Sequence, residues 1–167
     1  MTITHETAET ETLLESLAQQ RFFLRHTVRE LTDEQAGRRT TASELCLGGL
    51  IKHVTAVESA WMDFIVDGTD SVATGGENRD DQFRMLEGET LAGVLADYED
   101  VARRTEEIVR GLPDLDMSRP LPEAPWFRPG TRWSARRTLI HILAETAQHA
   151  GHADIIRESL DGAKTMG

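Results

Sequence analysis

Three histidines and one glutamate, His141, Glu145, His149 and His152, stand at helical spacing near the C-terminal end of the chain. At about 100° per residue they share one stripe of a helix. Glu145 and His149, four residues apart, reach the same point in space. The same stretch carries an apolar face of Leu139, Ile142, Thr146, Ala150, Ala153, Ile156 and Leu160. His149 lies inside that face and Glu145 on its border. A carboxylate and imidazoles beside a core-facing stripe are costly to desolvate unless something binds them. A divalent cation meets that cost. The alternative is a buried Glu–His hydrogen-bond network with no metal, since this spacing is also frequent on solvated helices.

A metal needs a further ligand from another element. His53 lies between Leu50 and Val57 on the core-facing side of an earlier helical pattern. The set His53, Glu145 and His149 suits Zn²⁺, Ni²⁺, Fe²⁺ or Mn²⁺. Three protein ligands leave a coordination position open, as in catalytic rather than structural zinc sites. A water or thiol bound there is acidified. His152 is a candidate catalytic residue, assisting proton transfer or supporting a ligand, and His141 is read as a packing contact. His5 falls in an N-terminal tail and His26 on an outer face. Cys46, one heptad before His53, is read as a small buried residue rather than a nucleophile. Arg128, Arg132, Arg136 and Arg137 flank the start of the last helix. They either receive a carboxylate substrate or pair with the surplus of acidic residues.

The elements that must position these groups read as four amphipathic helices. Residues 1–9 are Thr- and Glu-rich and are expected to form a frayed tail, with the domain over 10–162. Thr12 and Glu15 offer a capping box for the first helix, with its stripe Leu13, Leu17, Leu24, Val28 and Leu31. A short helix or turn follows at Thr32–Gln35 and ends at Gly37. Ser43 is the expected N-cap of the second long helix, which runs to Val66. Gly48-Gly49 inside that helix costs about 1 kcal/mol per glycine relative to alanine. The pair therefore implies close approach of a neighbour or a ligand. A long connection over 67–89 contains Gly75-Gly76 and a charged stretch from Glu77 to Asp81. The third helix starts at Thr90 and ends at Gly111 and Pro113.

All five prolines fall in the second long connection, over 113–133, together with Trp126, Phe127 and Trp133. Those aromatics either plug one end of the bundle or line a substrate pocket. Ser134 caps the fourth helix, which Asp161-Gly162 ends. Four such helices without strand patterning predict an all-α four-helix bundle with long crossover connections.

At 167 residues the chain suits one domain with a real core. With 18 basic against 29 acidic residues, its formal charge of −11 opposes binding to nucleic acid or anionic membranes. The single cysteine excludes an internal disulfide and fits a reducing cytoplasm. The N-terminus has neither the basic residues nor the apolar run of a signal peptide.

The residues Leu50-Ile51-Lys52-His53, Glu58, Trp61, Arg132-Trp133-Ser134 and the run Glu145 to Glu158 resemble the DinB-like superfamily of metal-binding bundles. Within it they are similar to an actinobacterial branch of unassigned function. The resemblance implies a long crossover between the second and third helices. It implies metal ligands at His53, Glu145 and His149. The Glu form of the pair is similar to the N-terminal domain of mycothiol-dependent maleylpyruvate isomerase, a zinc enzyme, and to mycothiol and bacillithiol S-transferases. That isomerase carries a further domain beyond the position of Gly167, so a stand-alone transferase is the nearer analogy. The implied activity is transfer of a thiol such as mycothiol to a small electrophile through a metal-bound thiolate. A hydrolase or isomerase using bound water, or a non-catalytic metal-binding module closed by His152, would use the same ligands. Members of the superfamily often pair, which implies a homodimer.

Overall fold

Apolar residues recurring every three to four positions make four long helices, which bury those faces against one another. The computed structural model describes residues 5–68, 72 and 79–165. The first helix, α1, spans His5–His26. The short α2 spans Asp33–Gly37, and α3 spans Leu47–Asp67. A 3₁₀ turn covers Arg79–Phe83, and α4 covers Leu91–Gly111. Two three-residue strands, β1 (Ser118–Pro120) and β2 (Arg132–Ser134), lead into α5, Ala135–Asp161. Helix α3 packs on both α4 and α5, and α1 packs on α5. Helices α1 and α4 touch little and leave an open groove between them. Among the described residues the chain is an all-α bundle with one small two-stranded sheet. No helix among the described residues is long and apolar enough to cross a membrane.

Most caps follow the sequence. Thr32 and Gln35 form a complete capping box at α2. Thr90 Oγ1 accepts from Gly93 N, and Ser134 Oγ accepts from Arg137 N. Gly68 and Gly162 end α3 and α5 with positive φ, 77° and 80°, which glycine adopts without strain. Two expected caps fail. Thr12 and Glu15 form no capping box, because helical backbone already begins at His5 and Thr12 Oγ1 donates to Ala8 O. Of the tail expected over 1–9, residues 1–4 lie outside the described residues. Ser43 does not cap α3, because its hydroxyl bonds locally to Thr41 and Leu45 and the helix starts four residues later behind Cys46. The small β pair was not foreseen, since three residues per strand, one a proline, carry no alternation to read. Gly75-Gly76, Glu77 and Asn78 lie outside the described residues.

The core has two apolar halves. One gathers Leu24, Val28, Leu50, Val54, Tyr98 and Ile156, the other Leu17, Trp61, Phe64, Val109, Leu139 and Ile142. Between them each long helix places one buried polar side chain: Arg21, Glu58, Thr105 and Thr146. Arg21 donates through both Nε and Nη2 to the Glu58 carboxylate, and Thr105 Oγ1 donates to it at 2.5 Å. Glu58 is fully buried, and its two oxygens are satisfied by these donors. The belt ties α1, α3 and α4 at one level.

Arg21→Met leaves the Glu58 carboxylate buried without its partner and is expected to cost about 3–5 kcal/mol in urea unfolding. Adding Glu58→Leu removes the stranded charge and should restore most of that loss. Equal stability of the single and double variants would count against an ion pair at the centre of the core.

Candidate metal centre

Helices α3 and α5 meet so that His53, Glu145 and His149 each turn a ligand atom to one point. The three atoms lie within 4.8 Å of one another. His149 Nε2 is 3.7 Å from Glu145 Oε2, and the rings of His53 and His149 meet edge to face at 4.8 Å. Donors about 2.1 Å from a tetrahedral zinc stand roughly 3.4 Å apart, so ordinary side-chain rotation closes the set around an ion. Two nitrogens and one carboxylate are an acceptable donor set for a divalent transition metal. The His149 side chain is 12 % exposed and Glu145 30 %, so the centre is sunk but open on the Glu145 side.

Outer contacts orient the imidazoles. His53 Nδ1 lies 3.4 Å from Gln82 Oε1, an atom that can only accept. A proton on Nδ1 would satisfy that contact and leave Nε2 as the ligand atom. One face of the His53 ring is covered by Phe83, stacked at 4.2 Å. His152 is not among the converging groups. Its Nδ1 is 3.4 Å from His149 Nδ1, on the other ring nitrogen from Glu145. That contact fixes which nitrogen of His149 is left to face Glu145.

Electrostatics favours a cation. The His149 imidazole beside Glu145 is the main influence holding its carboxyl below the usual range, and His141 and His53 add to it. Burial pushes the His141 imidazole below its ordinary pKa, Arg137 lowers it further, and Glu145 opposes both. At neutral pH His141, 4.0 Å from Glu145, is uncharged and leaves the carboxylate's charge unspent.

Sequence reading missed Gln82 and Phe83, and its one signal was the Gly48-Gly49 pair. A Cβ on Gly49 would lie 2.0 Å from the Phe83 carbonyl oxygen, and one on Gly48 would lie 2.4 Å from Met85 Sδ. The neighbour implied by the glycines is the 3₁₀ turn and its exit, laid directly on α3. Lys52 holds the segment there through Asp81 O, Arg84 O and the Glu89 carboxylate, the last at 2.7 Å. Cys46 is buried at the start of α3, with Sγ against Phe83 O. It stands about 10 Å along the helix from His53.

The four arginines do not converge. Arg132 donates to Ser118, Arg136 pairs with Glu9 and Asp116, and Arg128 is exposed. Arg137 lies over the Trp133 ring, 4.3 Å from its centroid. Trp133 stacks on Trp61 at 4.8 Å, and both rings meet His141 edge-on at 5.2 and 5.0 Å. Phe127 joins this cluster, whereas Trp126 is 57 % exposed.

An alanine in mid-helix normally stabilises by about 1 kcal/mol over glycine. Gly49→Ala is expected to do the opposite, lowering the melting temperature and weakening zinc binding about tenfold or more as the turn is lifted off His53. An unchanged zinc affinity would separate the turn from the centre. His149→Ala is expected to abolish metal retention on purification; full occupancy in that variant would sink the ligand set.

Comparison with known proteins agrees with this architecture. A crystal structure of a conserved protein from Enterococcus faecalis superposes with a TM-score of 0.69 at 10 % identity, covering 92 % of this chain and 98 % of that one. At that identity the likeness concerns the fold. No curated protein matches the chain. The family model described as mycothiol S-transferase matches residues 12–162, nearly the whole chain, and the protein belongs to this DinB-like family.

Proposed function

We propose that the protein transfers mycothiol to a small electrophile at a divalent metal, zinc, held by His53, Glu145 and His149. The observation that carries this reading is the convergence of three donors within 4.8 Å in a chain of the mycothiol S-transferase family. A divalent cation at this point lowers the pKa of a thiol and holds it as thiolate at neutral pH. The protein's own groups set the conditions for that. Two neutral imidazoles and one carboxylate leave a divalent site with net positive charge, which favours an anionic sulfur. The half-exposed side at Glu145 admits the thiol. Gln82 and His152 hold the two imidazoles in register from behind. His152 is thus a positioning residue for His149.

In the transfer the sulfur's electron pair forms the new S–C bond. The thiol proton passes to solvent, and the leaving group departs with the electrons of the bond that breaks. Zinc-loaded protein is expected to speed the loss of mycothiol with monochlorobimane, and a chelator is expected to stop it. Metal-replete protein with no thiol-dependent turnover across a panel of electrophiles would overturn the reading.

A further inference from the structure

The face of α5 that bears the centre continues toward its N-terminus. Arg137, His141, Glu145 and His149 follow one another at four-residue steps, so they form one row. Arg137 heads that row, exposed to solvent but seated on a ring. Its guanidinium rests on Trp133, which stacks on Trp61, a residue 6 % exposed and rooted in the core. The ladder between β1 and β2 pairs Trp133 with Arg119, and Arg119 in turn donates to the carbonyl of Ile65 at 3.0 Å. The platform under Arg137 is therefore fixed to α3.

Arg137 also lacks what its neighbours have. Arg136, one position earlier, takes both Glu9 and Asp116. The chain carries 29 acidic residues against 18 basic ones. Yet among the described residues no carboxylate pairs with Arg137, and its guanidinium lies over the indole face of Trp133. On a surface with net charge −11, long-range attraction holds no anion. A guanidinium seated on an indole still binds one at short range, by a two-pronged contact that suits the planar carboxylate best. From Glu145 to Arg137 the helix runs two turns, about 12 Å, and the arginine side chain shortens that span. Along that span the His141 imidazole meets the Trp133 ring edge-on at 5.2 Å, and Phe127 packs against Trp133.

We propose that Arg137 is the anchor for a carboxylate on the electrophilic substrate, and that the substrate class is a planar aryl carboxylate. Its ring lies along His141 and Trp133, and its reactive carbon points to the Glu145 end of the row. The orientation of the reactive end rests on the thiol-transfer reading, whereas the carboxylate anchor does not.

Of the three tryptophans of the chain, Trp61 and Trp133 form this cluster and Trp126 touches its Phe127, so intrinsic fluorescence reports on this end of the bundle. The probes are para-nitrobenzoate and its methyl ester, titrated as quenchers onto metal-free and zinc-loaded protein. The acid is expected to bind about tenfold tighter than the ester in both forms, the scale of one partly exposed charge-assisted contact. Arg137→Gln should erase that preference, Arg137→Lys should keep part of it, and Arg128→Gln should leave it intact. Equal binding of acid and ester to the wild type would overturn the proposal. So would a preference that survives in Arg137→Gln, or one that is lost equally in Arg128→Gln. A preference seen only with zinc present would place the carboxylate on the metal and overturn it too. Because the metal-free titration involves no thiol and no turnover, a failed transfer assay leaves this result readable.

Discussion

Helix α3 has no side chain at Gly49, and the carbonyl of Phe83 fills the space where one would stand. Backbone pressed on backbone at this distance fixes the returning chain to the helix without any adjustable side chain between them. The following residue but two, Lys52, then gathers two carbonyls and the Glu89 carboxylate of the same segment. Between these two contacts Gln82 and Phe83 have one place to go, over His53. The orientation of an imidazole on α3 is thus set by a crossover segment about thirty residues downstream, and the permission for it is two hydrogens on one glycine.

The second constraint is the polar belt through the core. Burying Arg21 and Glu58 together is not a route to high stability, because the cost of desolvating both charges offsets most of their attraction. What the pair supplies is register. Only one vertical alignment of α1, α3 and α4 brings Arg21 and Thr105 to the Glu58 carboxylate. Glu58 lies five residues after His53 on α3. On α5, Thr146 sits between Glu145 and His149. The belt that aligns the helices is therefore one turn from the groups that converge on the centre, and a slip of one turn would part them.

Around the centre the surroundings differ by side. His152 and Gln82 close the back, where each imidazole needs a hydrogen-bond partner. Toward the N-terminus of α5 the neighbours are rings and one guanidinium. A site with polar support behind and an aromatic wall ahead holds its donors still while presenting an apolar approach to a small molecule.

Much of this was legible in the residues. Periodicity gave four long helices, because a 3.6-residue apolar repeat has one economical solution. Thr90 and Ser134 announced two helix starts and Gly68 and Gly162 two ends, since those caps are local chemistry. The pairing of Glu145 with His149 was legible too, because residues four apart on a helix must meet. The convergence of His53 with that pair was an inference from its inner face, and the packing of α3 on α5 produced it. Other features were beyond local reading. Thr12 and Ser43 have the right chemistry for caps, but helical backbone already runs through Thr12 and α3 starts only after Cys46. Glu58 could not be matched with Arg21, 37 residues away, because no local rule links them. Of four clustered arginines, sequence could not say that three would be spent on Ser118, Glu9, Asp116 or solvent while Arg137 alone rested on an indole. The sequence by itself determined which residues share a helix face, since that depends on spacing alone. Which faces meet, and which outer groups then turn each donor, was decided only by tertiary packing, because those contacts join segments that no local preference brings together.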